Sequence, residues 1–444
     1  MIGEVCMENA FLMPDELKDR LCSGVFDAVL KRIYSIETEQ TEPYRRRILS
    51  AVDAFTVKYG EQPVRVFSVS GRTELGGNHT DHQHGCVLAG GISLDIIAVA
   101  ARTDDGMMRI QSEGYPETVL PADDLEIHDG EAGTSASLLR GTAARFAELG
   151  YRPGGFCAYM ISDVQKGSGL SSSAAFEVMI GTICSDFFAG GAFSPAELAM
   201  IAQYAENVYF GKPCGLMDQM ACALGGVTAI DFADPQNPKW EQLDLNLPAE
   251  GYVLCIIDSG ADHADLTEEY AAVPAEMKTV AAELGCEVLR DTDEELFWSG
   301  ISRLRSRCGD RAVLRAVHFY SENKRVRKQA EALREGRFSD YLALVSESGR
   351  SSTCALQNIF AAGSTNRQAV AVALALCEKL LDGSGAFRVH GGGFAGTVQA
   401  YVPAGCAEDF RRQADAVFGA GACQVLRIRN CGACALWEGE TVCS

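Results

Sequence analysis

Residues 71–85 read GRTELGGNHTDHQHG and directly follow the alternating stretch Val64-Arg-Val-Phe-Ser-Val. The alternation predicts a β-strand running into Gly71. One arginine (Arg72), the carboxylates of Glu74 and Asp81, the amide of Asn78 and the imidazoles of His79, His82 and His84 share the loop behind that strand. The HxxHxH spacing invites a zinc reading. Zinc ligands, however, usually come from separate elements or helix spacings, often with cysteine, and no cysteine supports these three. Dense hydrogen-bonding groups without a compact ligand set suit a polyhydroxylated ligand better. A decorated surface loop is the plain alternative, weakened by the strand and the four glycines that shape the segment.

Two further stretches stand out. Residues 166–176, KGSGLSSSAAF, place Gly167, Ser168, Gly169 and the serines 171, 172 and 173 ahead of an apolar helix. Glycines let backbone N–H groups approach an anion, and a helix start offers unpaired donors and a positive dipole end. The pattern is a phosphate cradle, although not the GxxxxGK[ST] loop. A capped helix start with a flexible lead is the bland reading. Residues 390–396, HGGGFAG, lie between two apparent strands and suggest either a close backbone approach or a tight hairpin.

The chain has 444 residues, 60 Asp and Glu against 39 Lys and Arg, and a formal net charge of −21. Two domains are expected at this length. The acidic balance argues against nucleic acid and anionic membranes as partners. The first residues lack the basic and apolar blocks of a signal peptide. The longest apolar run, Ala369 to Cys377, falls far short of a membrane span. A cytoplasmic protein is expected. The 17 cysteines, odd in number and scattered, read as free thiols in a reducing compartment. Cys431 and Cys434 have CxxC spacing but lack the second pair that a zinc site needs.

Helical periodicity marks 15–22, 24–37, 46–59, 135–149, 174–188, 195–208 and 217–224 in the first half, with strands at 64–69, 87–101 (broken at Gly90-Gly91) and 156–161. The second half is helix-rich (263–284, 294–304, 310–336, 338–348, 368–381), with strands near 251–258, on both sides of the 390–396 turn, and last at 424–429. Strands followed by helix pairs, without regular βαβ alternation, argue for an α+β fold. The Pro-, Asn- and Asp-rich stretch 235–251 suggests a boundary. The expected organisation is an N-terminal helical extension (1–40), a first domain (41–245) and a second (246–444).

The three segments, in this order and spacing, resemble the motifs of the superfamily of galactokinase, homoserine kinase, mevalonate kinase and phosphomevalonate kinase. GRTELGGNHTDHQHG is similar to the galactokinase signature GRVNLIGEHTDYNGG, and the stretch AENVYFGKPCGLMDQM at 205–220 is similar to that family's AE…G…CGIMDQ. The likeness covers about residues 45–430. It implies a ribosomal-protein-S5-like N-terminal domain and a ferredoxin-like C-terminal domain, with the active site between them. It implies an ATP- and Mg²⁺-dependent sugar-1-kinase acting on galactose or a close relative, most simply as a monomer. Asp218 matches the catalytic aspartate and Arg72 its partner. Ser172 and Glu206 match the Mg²⁺ contacts. Asn78, His79, Asp81, Gly215 and, more loosely, Tyr270 match sugar contacts, and the 167–173 glycines and serines match the phosphate loop.

The chain departs from the signature at Asn78, where the family has a glutamate that contacts the C6 hydroxyl, and at His82, where it has tyrosine. A neutral amide tolerates a C6 carboxylate that glutamate would repel, so galacturonate, other C6-modified sugars and pentoses stay open. A non-catalytic sugar and ATP sensor is a second reading, weighed against by the intact serine run, Glu206 and Asp218. A kinase of a non-sugar alcohol is a third, weighed against by the HTDH loop. Because the chain is acidic overall, ATP binding is expected to depend on local amide donors and on Mg²⁺.

Overall fold

A computed structural model describes residues 11–164, 169–260 and 266–436 of the chain. Its first part contains α1 (Pro14–Cys22), α2 (Asp27–Tyr34), α3 (Glu42–Tyr59), β1 (Arg65–Gly76), β2 (Cys86–Thr103), β3 (Met107–Ser112), β4 (Thr118–Pro121), α4 (Ser135–Glu148), β5 (Gly155–Ser162), α5 (Ser172–Ala189), α6 (Pro195–Tyr204), α7 (Met217–Leu224), β6 (Val227–Asp231) and β7 (Lys239–Leu243). There follow β8 (Tyr252–Asp258), α8 (Thr267–Glu283), α9 (Glu294–Ser299), α10 (Ile301–Cys308), α11 (Asp310–Arg334), α12 (Phe338–Ser351), α13 (Ala369–Leu381), β9 (Ala386–His390), β10 (Thr397–Pro403), α14 (Ala407–Phe418), β11 (Cys423–Leu426) and β12 (Cys434–Leu436).

These elements make an α+β architecture built on two sheets, as expected. The larger sheet has the order β12-β1-β2-β5-β3-β4, with β6 on the first half of β2 and β7 beyond it. The smaller is antiparallel, in the order β11-β8-β10-β9. Side chains on the central strands alternate between two cores, as the two-residue strand period requires. Phe67, Val69, Ala98 and Ala100 pack with α4 to α7. Val66, Ile97, Val99 and Ala101 pack with α1 to α3. The N-terminal helices therefore cover the second face of the sheet, where Leu21, Leu30 and Ile33 are fully buried. Each such side chain contributes about 1.5–3 kcal/mol.

Several sequence expectations are corrected. β2 does not break at Gly90-Gly91. The glycines admit the neighbouring turn, since a Cβ at Gly91 would stand 2.8 Å from Gly225 Cα. The helix expected through 208 gives way to a π turn at Ala205–Phe210, and that at 294–304 is split at Gly300. Among the described residues the last strand is β12 rather than 424–429: β11 stops at Leu426, Ile428 bridges Ile92, and β12 pairs with β1. The all-free-thiol expectation fails at Cys431, which is disulfide-bonded. Cys434 is a free, buried thiol. Among the described residues no helix is long and apolar enough to cross a membrane.

Candidate active site

β1 carries Arg72 past a register shift between Ser70 and Arg72. There Gly71 lets the phosphate-loop backbone come close: a Cβ at Gly71 would lie 3.0 Å from the Leu170 carbonyl, which accepts from Arg72 N at 3.1 Å. The Arg72 guanidinium makes a two-point contact with Asp218 at the start of α7, Nε to Oδ1 at 2.7 Å and Nη2 to Oδ2 at 2.9 Å. Its Nη1 donates to the Gly169 carbonyl. Ser171 Oγ donates to Asp218 Oδ2 at 2.5 Å. Burial opposes ionisation of Asp218, but Arg72 and Ser171 outweigh it and hold the carboxyl below its ordinary range. The Asp218 side chain is 36% exposed whereas that of Arg72 is 7% exposed, so the aspartate is open to solvent and the arginine backs it.

The loop of residues 71–85 meets this pair at Asp81. Burial, and then the charge of Asp218, push the Asp81 carboxyl up to about 6. Gly215 fits against it only because it lacks a side chain: a Cβ there would stand 1.8 Å from Asp81 Oδ2. His79, at φ 56°, hydrogen-bonds the Gly392 carbonyl through Nε2 at 2.9 Å. That contact assigns the proton to Nε2 and leaves Nδ1 as the acceptor. Tyr270 on α8 donates to the Gly393 carbonyl at 2.8 Å. The 390–396 turn is therefore a row of carbonyls that orients side chains of the 71–85 loop and α8. His82 lies beside His79, ring centroids 5.7 Å apart, with both its nitrogens buried and unpartnered; burial drives it down to about 3 and keeps it neutral.

Asn78 departs from its expected role as a sugar contact. It is fully buried. Its Nδ2 donates to Glu74 Oε1 at 3.0 Å and Oε2 at 3.2 Å and to the Gly391 carbonyl at 2.6 Å. Its Oδ1 accepts from Asn358 Nδ2 at 2.8 Å. The amide stands behind the loop, with no accessible surface to offer a ligand.

The phosphate loop is described from Gly169 onward; Gly167 and Ser168 lie outside the described residues. Gly169 has φ 69°, and a Cβ there would stand 2.7 Å from Thr397 Oγ1. Ser172 and Ser173 open α5, where the first-turn N–H groups have no intrahelical acceptor. The Ser171 hydroxyl, expected on phosphate, is directed at Asp218 instead. Glu206 sits on the π turn, salt-bridged to Lys212 at 3.2 Å. Gln219 Nε2 links Glu206 Oε2 at 2.8 Å to Glu177 Oε2 at 3.1 Å. Burial and the Glu206 charge raise Glu177 to about 9. Glu177 Oε1 and Gln219 Oε1 are buried without partners.

Orphaned hard oxygens beside a carboxylate suit an oxygen-liganded cation that takes one or two carboxylates and completes its shell from phosphates and water. Among the described residues no group of three or more His, Cys, Asp or Glu could hold a metal by itself. Sequence reading missed Glu177, Gln219, Asn358 and Arg388, and gave Glu74 no separate role. A lone glutamate inside the apolar run of α5 was the available signal for Glu177.

The GHMP kinases N terminal domain family matches residues 137–226, and the galactokinase galactose-binding signature matches residues 53–102. The galactokinase of Actinobacillus pleuropneumoniae serotype 5b is 30% identical over 370 residues, 82% of this chain and 91% of its own length. That of Streptomyces coelicolor is 28% identical over 378 residues, 85% of this chain and 94% of its own. The crystal structure of Lactococcus lactis galactokinase complexed with galactose superposes with a TM-score of 0.74 at 24% identity, covering 87% of this chain and 99% of that one, which speaks for the fold. By these matches the chain belongs to the galactokinase family of the GHMP kinases and is a phosphotransferase.

Proposed function

We propose that the protein transfers the γ-phosphoryl group of ATP directly to the anomeric hydroxyl of galactose, giving the α-1-phosphate and ADP, with Mg²⁺ as the required cation. The observation that carries this reading is the two-point Arg72–Asp218 contact with the aspartate open to the cleft. A carboxyl held below its ordinary range is ionised at neutral pH but a weak base. That suits phosphoryl transfer, whose loose transition state demands little activation of the attacking oxygen. Asp218 orients the hydroxyl and takes its proton late. Arg72 keeps the carboxylate charged and its fork fixed. His79 Nδ1 and the Asp81 carboxylate accept from sugar hydroxyls, and Tyr270 walls the site. The N–H groups opening α5, with Ser172 and Ser173, receive phosphate oxygens.

Ser172 and Glu206, with Glu177 and Gln219 behind them, would hold Mg²⁺, which neutralises charge on the phosphates when bound. The acidic balance of the chain makes ATP binding correspondingly dependent on the cation. Because Asn78 presents no carboxylate to the cleft, the test is ADP release across galactose, galacturonate, N-acetylgalactosamine and arabinose. The greatest kcat/KM is expected with galactose. Saturable sugar binding without ADP release from any of them contradicts the catalytic reading.

A further inference from the structure

Glu74, Asn78 and Arg388 form a sealed polar bridge between the two sheets. Glu74 lies on β1 with 2% exposure; Asn78 and Arg388, the latter on β9, have none. Asn78 Nδ2 donates to the Glu74 carboxylate. Arg388 Nη2 ion-pairs with Glu74 Oε1. The Asn78 backbone is held as well: its carbonyl accepts from His318 Nε2 of α11 at 2.9 Å. The residue immediately after this anchor is His79, in the left-handed region.

The bridge and the sugar-facing side chains use one row of carbonyls. Gly391 O takes Asn78, Gly392 O takes His79 and Gly393 O takes Tyr270. Any shift of residue 78 relative to the glycine turn is thus a shift of His79 relative to Tyr270, and of Asp81 two residues further on. The sequence carries an independent sign of the same contact. Where the galactokinase signature has asparagine this chain has Glu74, and where the signature has glutamate it has Asn78. One acid and one amide are kept and their places exchanged, as two directly bonded side chains require. Arg388 explains the placement. Its guanidinium is bonded to the carboxylate at 74, whereas a carboxylate at 78 would confront the Gly391 carbonyl, an acceptor with no proton to give.

We propose that Glu74, Asn78 and Arg388 are a coupled set of positioning residues for the sugar, tethering the sugar loop to the glycine turn and so fixing where His79 and Asp81 stand. This rests on the sugar-kinase reading above. The set touches neither nucleotide nor reacting atoms, so its loss should weaken the sugar's hold before it slows chemistry.

The test is steady-state kinetics of the full chain with Glu74→Asn, Asn78→Glu and the double exchange E74N/N78E, alongside thermal unfolding. Each single change is expected to raise KM for the sugar about tenfold or more while kcat stays within about threefold and KM for ATP is unmoved. Because Arg388 and the Gly391 carbonyl favour the parent placement, the double exchange is expected to raise the sugar KM by less than the product of the two single effects, a non-additivity that contacting residues show, without restoring the parent value. Should a single variant not accumulate as folded protein, Glu74→Gln and Asn78→Ser carry the same comparison of sugar KM against kcat. Sugar KM within about twofold of the parent in the single variants overturns the proposal. So does a loss shared equally by kcat and ATP KM, or a double exchange that raises the sugar KM by the full product of the two single effects. If the parent phosphorylates a sugar other than galactose, only the substrate assignment falls, and the comparison is made with the sugar it accepts.

Discussion

Two arginine–aspartate pairs join distant parts of this chain, and they differ in one respect. Asp95 and Arg429 are both completely buried. Asp95 accepts from Arg47 Nη1 at 2.7 Å, Arg429 Nη1 at 2.7 Å, Tyr34 Oη at 2.5 Å and Ser68 Oγ. Three of those donors converge on Oδ2 and Arg47 alone takes Oδ1. Asp218 accepts from Arg72 Nε, Arg72 Nη2 and Ser171 Oγ. Its side chain is 36% exposed, whereas that of Asp95 has no exposure. In both pairs burial opposes ionisation and arginine restores it. The chemistry is shared, and exposure decides the role: a sealed carboxylate holds the tail and the N-terminal helices to the sheet, while an exposed one can receive a hydroxyl.

The contrast can be broken most severely at its open member. Asp218→Asn should lower kcat by about 10²–10⁴-fold with the fold retained by circular dichroism, and unchanged turnover would refute the assignment. Asp95→Ala should do the reverse. Removing one partner of a buried pair costs about 3–5 kcal/mol, so the denaturant midpoint falls, while the surviving folded protein keeps its kcat. A large loss of kcat per folded molecule would show that the two pairs are not separate in function. Tyr34→Phe deletes a single donor to Asp95 and should cost about 1–3 kcal/mol in chemical denaturation without moving KM for sugar or ATP.

The mildest expected effect is on pH. Asp81 rises to about 6 through burial and the neighbouring Asp218 charge. A carboxyl raised in the folded state holds its proton more tightly there than in the unfolded chain. Its stabilising contribution is therefore present at low pH and lost as pH rises through about 6. Activity runs the opposite way, because the protonated acid loses an acceptor for the sugar. kcat/KM for the sugar should fall by half near pH 6, and Asp81→Asn should abolish that limb at a uniformly lower rate. A pH profile unchanged in Asp81→Asn would remove Asp81 from the sugar site.

Much of this arrangement was legible in local sequence. Arg72, His79, Asp81, Gly215 and Asp218 come from motifs whose spacing survives folding, and the structure brings them together. What could not be read depends on contacts between residues hundreds of positions apart. Asn78 looks like a ligand in a polar loop, and only the approach of Gly391 and Asn358 shows that its amide is fully engaged. Residues 14–34 look like an appendage, because an amphipathic helix does not reveal which sheet face it covers. The end of the chain reads as one more strand. Arg429, drawn to Asp95 in the first sheet, instead carries it across to β1.

The account turns on which oxygen receives the phosphoryl group, and ³¹P and ¹H NMR of a reaction of the full chain with galactose, ATP and Mg²⁺ reads that directly. The expected result is one galactose 1-phosphate, α at the anomeric carbon, for each ADP formed. Phosphate on another hydroxyl, or ADP formed without any sugar phosphate, would contradict it.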